Sequence, residues 1–134
     1  MATIKRFEDL EIWQLAREIG QFVEELIQTT GLKTNYTLRN QMESSSGSIM
    51  DNIAEGFGRD GNKEFHNFLS IAKGSSEELR SQSYRAFDKK LINLEQHNKL
   101  NEMCELEKNK IGSFMHYLRN TAYKGQKFNN NNKQ

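Results

Sequence analysis

The 134-residue chain contains no proline, although proteins average near 5%. Proline breaks helices and punctuates loops, so its absence favours long helices joined by short turns. Cysteine is almost missing as well. Cys104 stands alone, which excludes a disulfide framework and a cysteine-rich metal site. Long apolar runs are lacking too: no stretch approaches the roughly 18 apolar residues that span a membrane. The segment Met1-Ala2-Thr3-Ile4-Lys5-Arg6 has no apolar run behind its positive charges and does not read as a signal peptide. A soluble, cytoplasmic protein with no membrane partner is the expectation.

A large excess of one charge is also absent. The chain holds 19 Lys+Arg and 18 Asp+Glu, net +1, whereas a protein that grips many phosphates usually carries a larger basic surplus. The charges are nevertheless segregated. Residues 1–62 carry 6 Lys+Arg and 10 Asp+Glu, and residues 63–134 carry 13 and 8. This asymmetry suits attraction between two halves of a bundle or oligomer, and it equally suits a basic surface for an acidic partner.

What is present is helical periodicity. At 28% charged and 35% hydrophobic, with mean hydropathy −0.85, the composition fits helices that each show one narrow apolar stripe. The spacing predicts an all-α, antiparallel up-and-down four-helix bundle over about residues 1–124, with helices at about 8–30, 36–57, 62–89 and 94–123. In the first, Ile12, Leu15, Ile19, Phe22, Val23 and Leu26 share one face, and Gly31 suits a left-handed stop. In the second, Leu38, Met42, Ile49 and Ile53 stay in phase through Ser44-Ser45-Ser46-Gly47-Ser48, a poor helix-forming run. The third starts near Asn62, read as an N-cap, and buries Phe65, Phe68, Leu69, Ala72, Leu79, Ala86 and Phe87. Before the fourth there is neither glycine nor proline, but Asn93 and Gln96 have the form of a capping box. Leu100, Cys104, Ile111, Phe114 and Leu118 then follow at bundle spacing. The Asn-rich stretch 125–134 reads as a disordered tail.

Some residues do not fit a single core. Phe7, Leu10 and Trp13 step by three, with Leu10 opposite the centre of the core stripe, and Gly20 extends that flank. Gly74 faces outward in mid-helix beside Ile71. These six are candidates for a subunit interface; alternatively, Phe7 and Leu10 precede the regular helix and tuck over the end of the bundle.

Signatures of chemistry are scarce. Di-iron bundles need Glu-x-x-His on two helices, and the residues three before His66, His97 and His116 are Lys63, Leu94 and Ser113. Phosphate-binding loops, dinucleotide fingerprints and His-Glu-x-x-His are absent from the sequence. Glu8/Glu11 and Glu102/Glu105 have the spacing of magnesium-binding pairs, but solvated helix faces explain them more simply. No catalytic residue, metal, cofactor or small-molecule substrate is expected. One polar constellation remains: Gln41, Ser45, Ser48, Asn52 and Glu55 border the second stripe, with Ser75 and Glu78 as partners on the third helix. Partly buried polar groups need partners, so these seven read as an internal network that sets helix register. A ligand or catalytic site built on Asn52, Glu55 and Glu78 is the alternative. Glu107 occupies a core-type position and either joins that network or sits at its wet edge.

Several of these residues also carry a resemblance. Phe7-x-x-Leu10-x-x-Trp13-x-x-Ala16, Leu38-x-x-Gln41, and Ser48-Ile49-x-x-Asn52-Ile53-Ala54-Glu55-Gly56-x-Gly58-Arg59 resemble the 23S rRNA intervening-sequence family. So does Glu64-Phe65-x-x-Phe68-Leu69-x-Ile71-Ala72-x-Gly74-Ser75-x-x-Glu78-Leu79. The resemblance implies a four-helix bundle assembled as a homopentamer, with no established activity for most members. The accessory proteins of diversity-generating retroelements look similar and are basic pentamers that bind nucleic acid. Two departures stand out: Glu43 and Ser44 replace arginines usual after the glutamine of the second helix, and Lys33-Thr34 lies where a proline is common. Candidate nucleic-acid contacts are Arg39, Arg59, Lys63, Lys108, Lys110, Arg119 and Lys124. The resulting expectation is a non-enzymatic oligomeric scaffold or interaction module whose partner is itself. The alternative is an accessory protein that binds RNA or DNA through a basic C-terminal face.

Overall fold

The computed structural model describes residues 4–121. Four α-helices lie among them: α1 (Glu11–Thr29), α2 (Tyr36–Gly58), α3 (Asn62–Asp88) and α4 (Leu94–Arg119). Short 3₁₀ turns at Phe7–Asp9 and Gly31–Lys33 flank α1. Each helix packs on its two neighbours, and α1 closes the ring on α4. Pairs across the seams fix the directions. Gln41 meets Arg85 while Ser48 meets Ser75; Asn62 meets Leu118 while Ser83 meets His97; Glu11 meets Lys110 while Phe22 lies under Lys99. In each case the number rises on one helix as it falls on the other, so neighbours run antiparallel.

The bundle's centre is an aromatic and aliphatic core. Phe65 meets Phe57 and Phe114 edge-on at 6.0 and 5.4 Å, the geometry that ring quadrupoles favour. Ile12, Ile19, Met42, Ile49, Ile53, Leu69, Leu79, Leu100 and Ile111 are fully buried along the length of the bundle. The serine run 44–48 is helical throughout, because burial of the flanking Met42 and Ile49 outweighs its weak intrinsic propensity.

The element ends differ from the sequence pattern for local reasons. Leu10 has extended backbone (φ −78°, ψ 127°) and serves as the N-cap of α1. The 3₁₀ turn before it breaks the 100° phase that placed Leu10 outside, and Leu10 is fully buried in its own chain. Gly31 does not adopt the left-handed conformation; Gly61 is the positive-φ glycine (φ 92°) among the described residues. Smallness is what Gly31 supplies, since a Cβ there would lie 2.9 Å from Leu91 Cδ2. Asn62 is not the N-cap of α3, which is Gly61. Its amide instead donates to the carbonyls of Leu118 (2.8 Å) and Thr121 (2.6 Å), closing the end of α4. The predicted capping box is present: Asn93 Oδ1 accepts from Gln96 N, and Gln96 Oε1 accepts from Asn93 N. The fourth helix ends at Arg119, short of the expected boundary, while the expected tail at 125–134 lies outside the described residues.

The glycine-free stop of α3 has a clear mechanism. Lys90 takes φ 61°, its N–H donates to Phe87 O at 2.9 Å, and Leu91 N–H donates to Ala86 O at 2.9 Å. This pair of bonds is a Schellman motif built on a lysine, and the left-handed conformation costs a non-glycine residue about 1–2 kcal/mol. Replacing Lys90→Gly is expected to raise stability by about 0.5–1 kcal/mol in urea unfolding. At Gly56 the opposite holds: a Cβ would lie 2.7 Å from Phe68 Cβ and 2.8 Å from Phe65 Cδ1. Gly56→Ala is expected to destabilise by about 1–3 kcal/mol in the same assay, overpacking outweighing the better helix propensity.

Candidate functional site

The seven polar residues expected along α2 and α3 do not form one network. Ser48, Asn52 and Ser75 form one hydrogen-bonded cluster: Ser48 Oγ and Ser75 Oγ are 2.7 Å apart, and Asn52 Nδ2 donates to Ser48 O (2.8 Å) and Ser48 Oγ (3.0 Å). Gln41 lies further along the same seam and accepts from Arg85 Nη1 at 2.8 Å. Glu55 points to solvent and pairs with Arg59 one turn on at 2.8 Å. Glu78 is exposed and Ser45 is buried. Asn52, Glu55 and Glu78 thus do not converge on a common point.

The six residues expected at a subunit interface also separate. Phe7 meets Trp13 in a tilted contact with ring centroids 5.1 Å apart, and both pack against the core. Leu10 is interior, and a Cβ on Gly20 would sit 3.9 Å from Met50 Sδ in the α1–α2 seam. Ile71 is 53% exposed, and the space above the exposed Gly74 is open.

Among the described residues three titratable side chains, His97, Cys104 and Glu107, are buried. Ser83 Oγ and His97 Nδ1 share a 2.8 Å hydrogen bond, with the imidazole between Tyr84 and Phe87 at 4.4 and 5.3 Å. A serine–histidine contact is the geometry of an activated nucleophile, but Ser83 is 0% exposed and no substrate reaches it. The antiparallel α3–α4 register creates this pair, so nothing local in the sequence signals it. Ser76 Oγ donates to the carbonyl of Cys104 at 2.8 Å, and burial pushes the Cys104 thiol up to about 12, which leaves it unreactive. Glu107 is fully buried, and neither carboxyl oxygen has a hydrogen-bond partner. Desolvation pushes its pKa up to about 9, against a smaller opposing effect of Lys110. It is a neutral acid inside the core at pH 7, apart from the Ser48 cluster and away from the wet edge.

The candidate phosphate contacts occupy different faces. Arg39 donates to the Lys33 carbonyl at 3.0 Å near the start of α2, the opposite end of the bundle from Arg59. Arg59 is paired with Glu55 and lies over Phe68, and Lys110 crosses to Glu11 on α1 at 3.2 Å. Lys63, Lys108 and Arg119 instead line the groove between α3 and α4, in two clefts. One cleft joins Lys73 and Lys108 with Asn109, Gly112, Ser113 and His116. The other joins Lys63, His66, Asn67 and Arg119 with Asn62 and Thr121. Among the described residues no acid lines either cleft. Arg119 Nη1 donates to His66 Nε2 at 3.0 Å; burial first, and Arg119 second, hold His66 below its ordinary pKa. Acids meet the groove further along, where Glu77 pairs with Arg80 (2.9 Å) and lies 3.8 Å from Lys108, and Glu105 pairs with Arg80 at 3.3 Å. The groove is legible in sequence only as a boundary: Glu107 is the last acidic residue of the chain. Lys73, His66 and His116 were not among the expected contacts, because α3 joins α4 here only through tertiary packing. Lys124 lies outside the described residues.

The sequence pattern of the 23S rRNA-intervening sequence protein family matches residues 8–113. The chain belongs to that family. A comparison with curated proteins finds no match. In this member of the intervening-sequence family, Glu43 and Ser44 are both exposed on α2. No helix among the described residues is long and apolar enough to cross a membrane, and no group of three or more His, Cys, Asp or Glu among them is arranged to hold a metal ion.

Glu107 yields a pH prediction. An unfolded glutamate titrates near 4.5 and the folded one near 9, so between these values the folded state holds a proton that the unfolded state has released. Stability is therefore fully present below about pH 4.5 and falls as pH rises toward 9, by about 1.4 kcal/mol per unit. Urea unfolding at pH 5.5, 7 and 8.5 is expected to show this decline in the wild type and to lose it in Glu107→Gln.

Proposed function

We propose that this intervening-sequence protein is a non-enzymatic, cytoplasmic binding module whose α3–α4 groove receives the phosphate backbone of a nucleic acid. The acid-free lining of the two clefts carries the reading. Lys73, Lys108 and His116 in one, and Lys63, His66 and Arg119 in the other, present cations and hydrogen-bond donors along one groove. At 1.5 Å per residue the stretch of α4 from Lys108 to Arg119 is roughly 16 Å long, enough to meet several phosphates. The near-neutral whole chain does not oppose this, because attraction depends on local field rather than total charge. The described lining of the two clefts holds no aromatic platform for bases, so binding is by shape and charge rather than by sequence.

A second reading is self-association into a homo-oligomer, the pentamer that the family resemblance implies. Ile71 favours it: it is 53% exposed beside Gly74, where a partner helix finds open space. This surface is separate from the groove, so the two readings are compatible, and Ile71→Lys with light scattering tests it alone.

The groove is tested by fluorescence anisotropy with a structured RNA at 50 and 200 mM salt. Binding is expected at the lower salt and a loss of tenfold or more at the higher. Lys73→Ala with Lys108→Ala is expected to weaken binding and to reduce the salt slope by about one unit per phosphate contact removed. Arg39→Ala, at the other end of the bundle, is expected to change neither. Absence of binding at 50 mM salt would exclude the groove reading.

A further inference from the structure

Glu107 lies outside the groove, and neither of the preceding readings uses it. It is 0% exposed, both of its oxygens lack partners, and a carboxyl buried in this way is costly to retain. Its position on α4 shows which seam it bears on. At about 100° per residue, Met103 and Lys110 lie about 40° and 60° from it on one side, and Cys104 lies about 60° away on the other. Lys110 faces α1, where it pairs with Glu11, and the Cys104 carbonyl faces α3, where Ser76 binds it. Leu100, Cys104, Ile111 and Leu118 of the buried stripe all lie about 20–60° from Glu107 on the Cys104 side, so Glu107 sits toward the α1 edge of that stripe.

Its surroundings contain little that can compensate a charge. The buried faces of α1, α2 and α3 carry no titratable group. On α4, Lys110 and the Cys104 thiol are the groups that couple to it. Glu11 on α1 is held by Lys110, and on the outer edge of α3 Glu77 is held by Arg80, with Lys73 and Lys108 beside it. The seams also differ in how they are fastened. α3 is tied to α4 by buried bonds at Ser76 and Ser83 and by Asn62 and Arg80, and to α2 by Ser48–Ser75 and Gln41–Arg85. The ties from α1 to α4 are at the surface: the Glu11–Lys110 pair and Lys99 over Phe22 at 4.4 Å.

We propose that Glu107 is a proton-controlled latch on the α1–α4 seam: as the neutral acid it keeps α1 seated, and loss of its proton releases α1 from an intact α2–α3–α4 core. Ionisation inside the closed bundle is opposed by desolvation. Swinging α1 away admits water to the carboxylate and frees Lys110 to leave Glu11 and pair with Glu107 instead. The open state thus releases the proton that the closed state holds, and its population grows with pH.

Amide hydrogen exchange of the full chain, corrected for the intrinsic rate, tests this between pH 6 and 8.5 with and without low urea. The α1 amides are expected to lose protection about tenfold per pH unit, with a shallow urea dependence, while α3 amides stay more protected and respond steeply to urea. Glu107→Gln is expected to make the α1 profile independent of pH. Glu107→Leu, which leaves no polar group buried, gives the same flat profile and separates loss of the proton from loss of the fold. If α1 and α3 amides share one steep urea dependence, opening is global and there is no latch. If the α1 pH dependence survives in both variants, a different group governs it, and the proposal is overturned.

Discussion

At Gly56 the backbone of α2 runs so near the rings of α3 that one added methyl would meet Phe68 at 2.7 Å. That approach brings Phe57 against Phe65, and Phe65 carries the contact on to Phe114 of α4. The chain of aromatic contacts joins three helices at one end of the bundle, and the spacing it imposes runs down the α2–α3 seam. There the helices stay close enough for the hydroxyls of Ser48 and Ser75 to hydrogen-bond at 2.7 Å. Larger side chains along this seam would force the helices apart, so the glycine and the serines act as spacers as much as polar groups.

Close packing of this kind makes each buried polar group conspicuous. Ser76 and Ser83 find partners on α4, a carbonyl and an imidazole; Glu107 finds none. A leucine would fill that position without desolvation cost, and the resulting pH sensitivity belongs to the side of the core that faces α1. The α3–α4 seam holds buried hydrogen bonds and the α2–α3 seam a part-buried one, whereas the α1–α4 seam holds exposed electrostatic ties. The bundle is therefore unequal in how firmly its helices are held.

Charge is arranged with similar inequality. Acids fill the outer faces of the first helices, and none occurs after Glu107. The net charge of +1 conceals a groove in which lysine, histidine and arginine from α3 and α4 line two clefts without an acid in the described lining, Glu77 meeting Lys108 at the edge. Arg39, Arg59 and Lys110 belong to other faces, each engaged locally by a carbonyl or a carboxylate. Family membership supplies the bundle but not its ligand.

Read by itself, the sequence determined the helices, their apolar stripes, the capping box at Asn93–Gln96 and the family, because these depend on residues within a few turns of one another. It misplaced Leu10, since a helical wheel assumes an unbroken helix and the 3₁₀ turn at Phe7–Asp9 interrupts it. It also treated Asn62 as a cap for its own helix, when the amide closes a helix 56 residues further on. The groove cations, the Ser83–His97 pair and the isolation of Glu107 were decided only by tertiary structure. Each depends on the antiparallel register between helices, and register is set by how side chains interlock across a seam rather than by the period along any one strand of sequence.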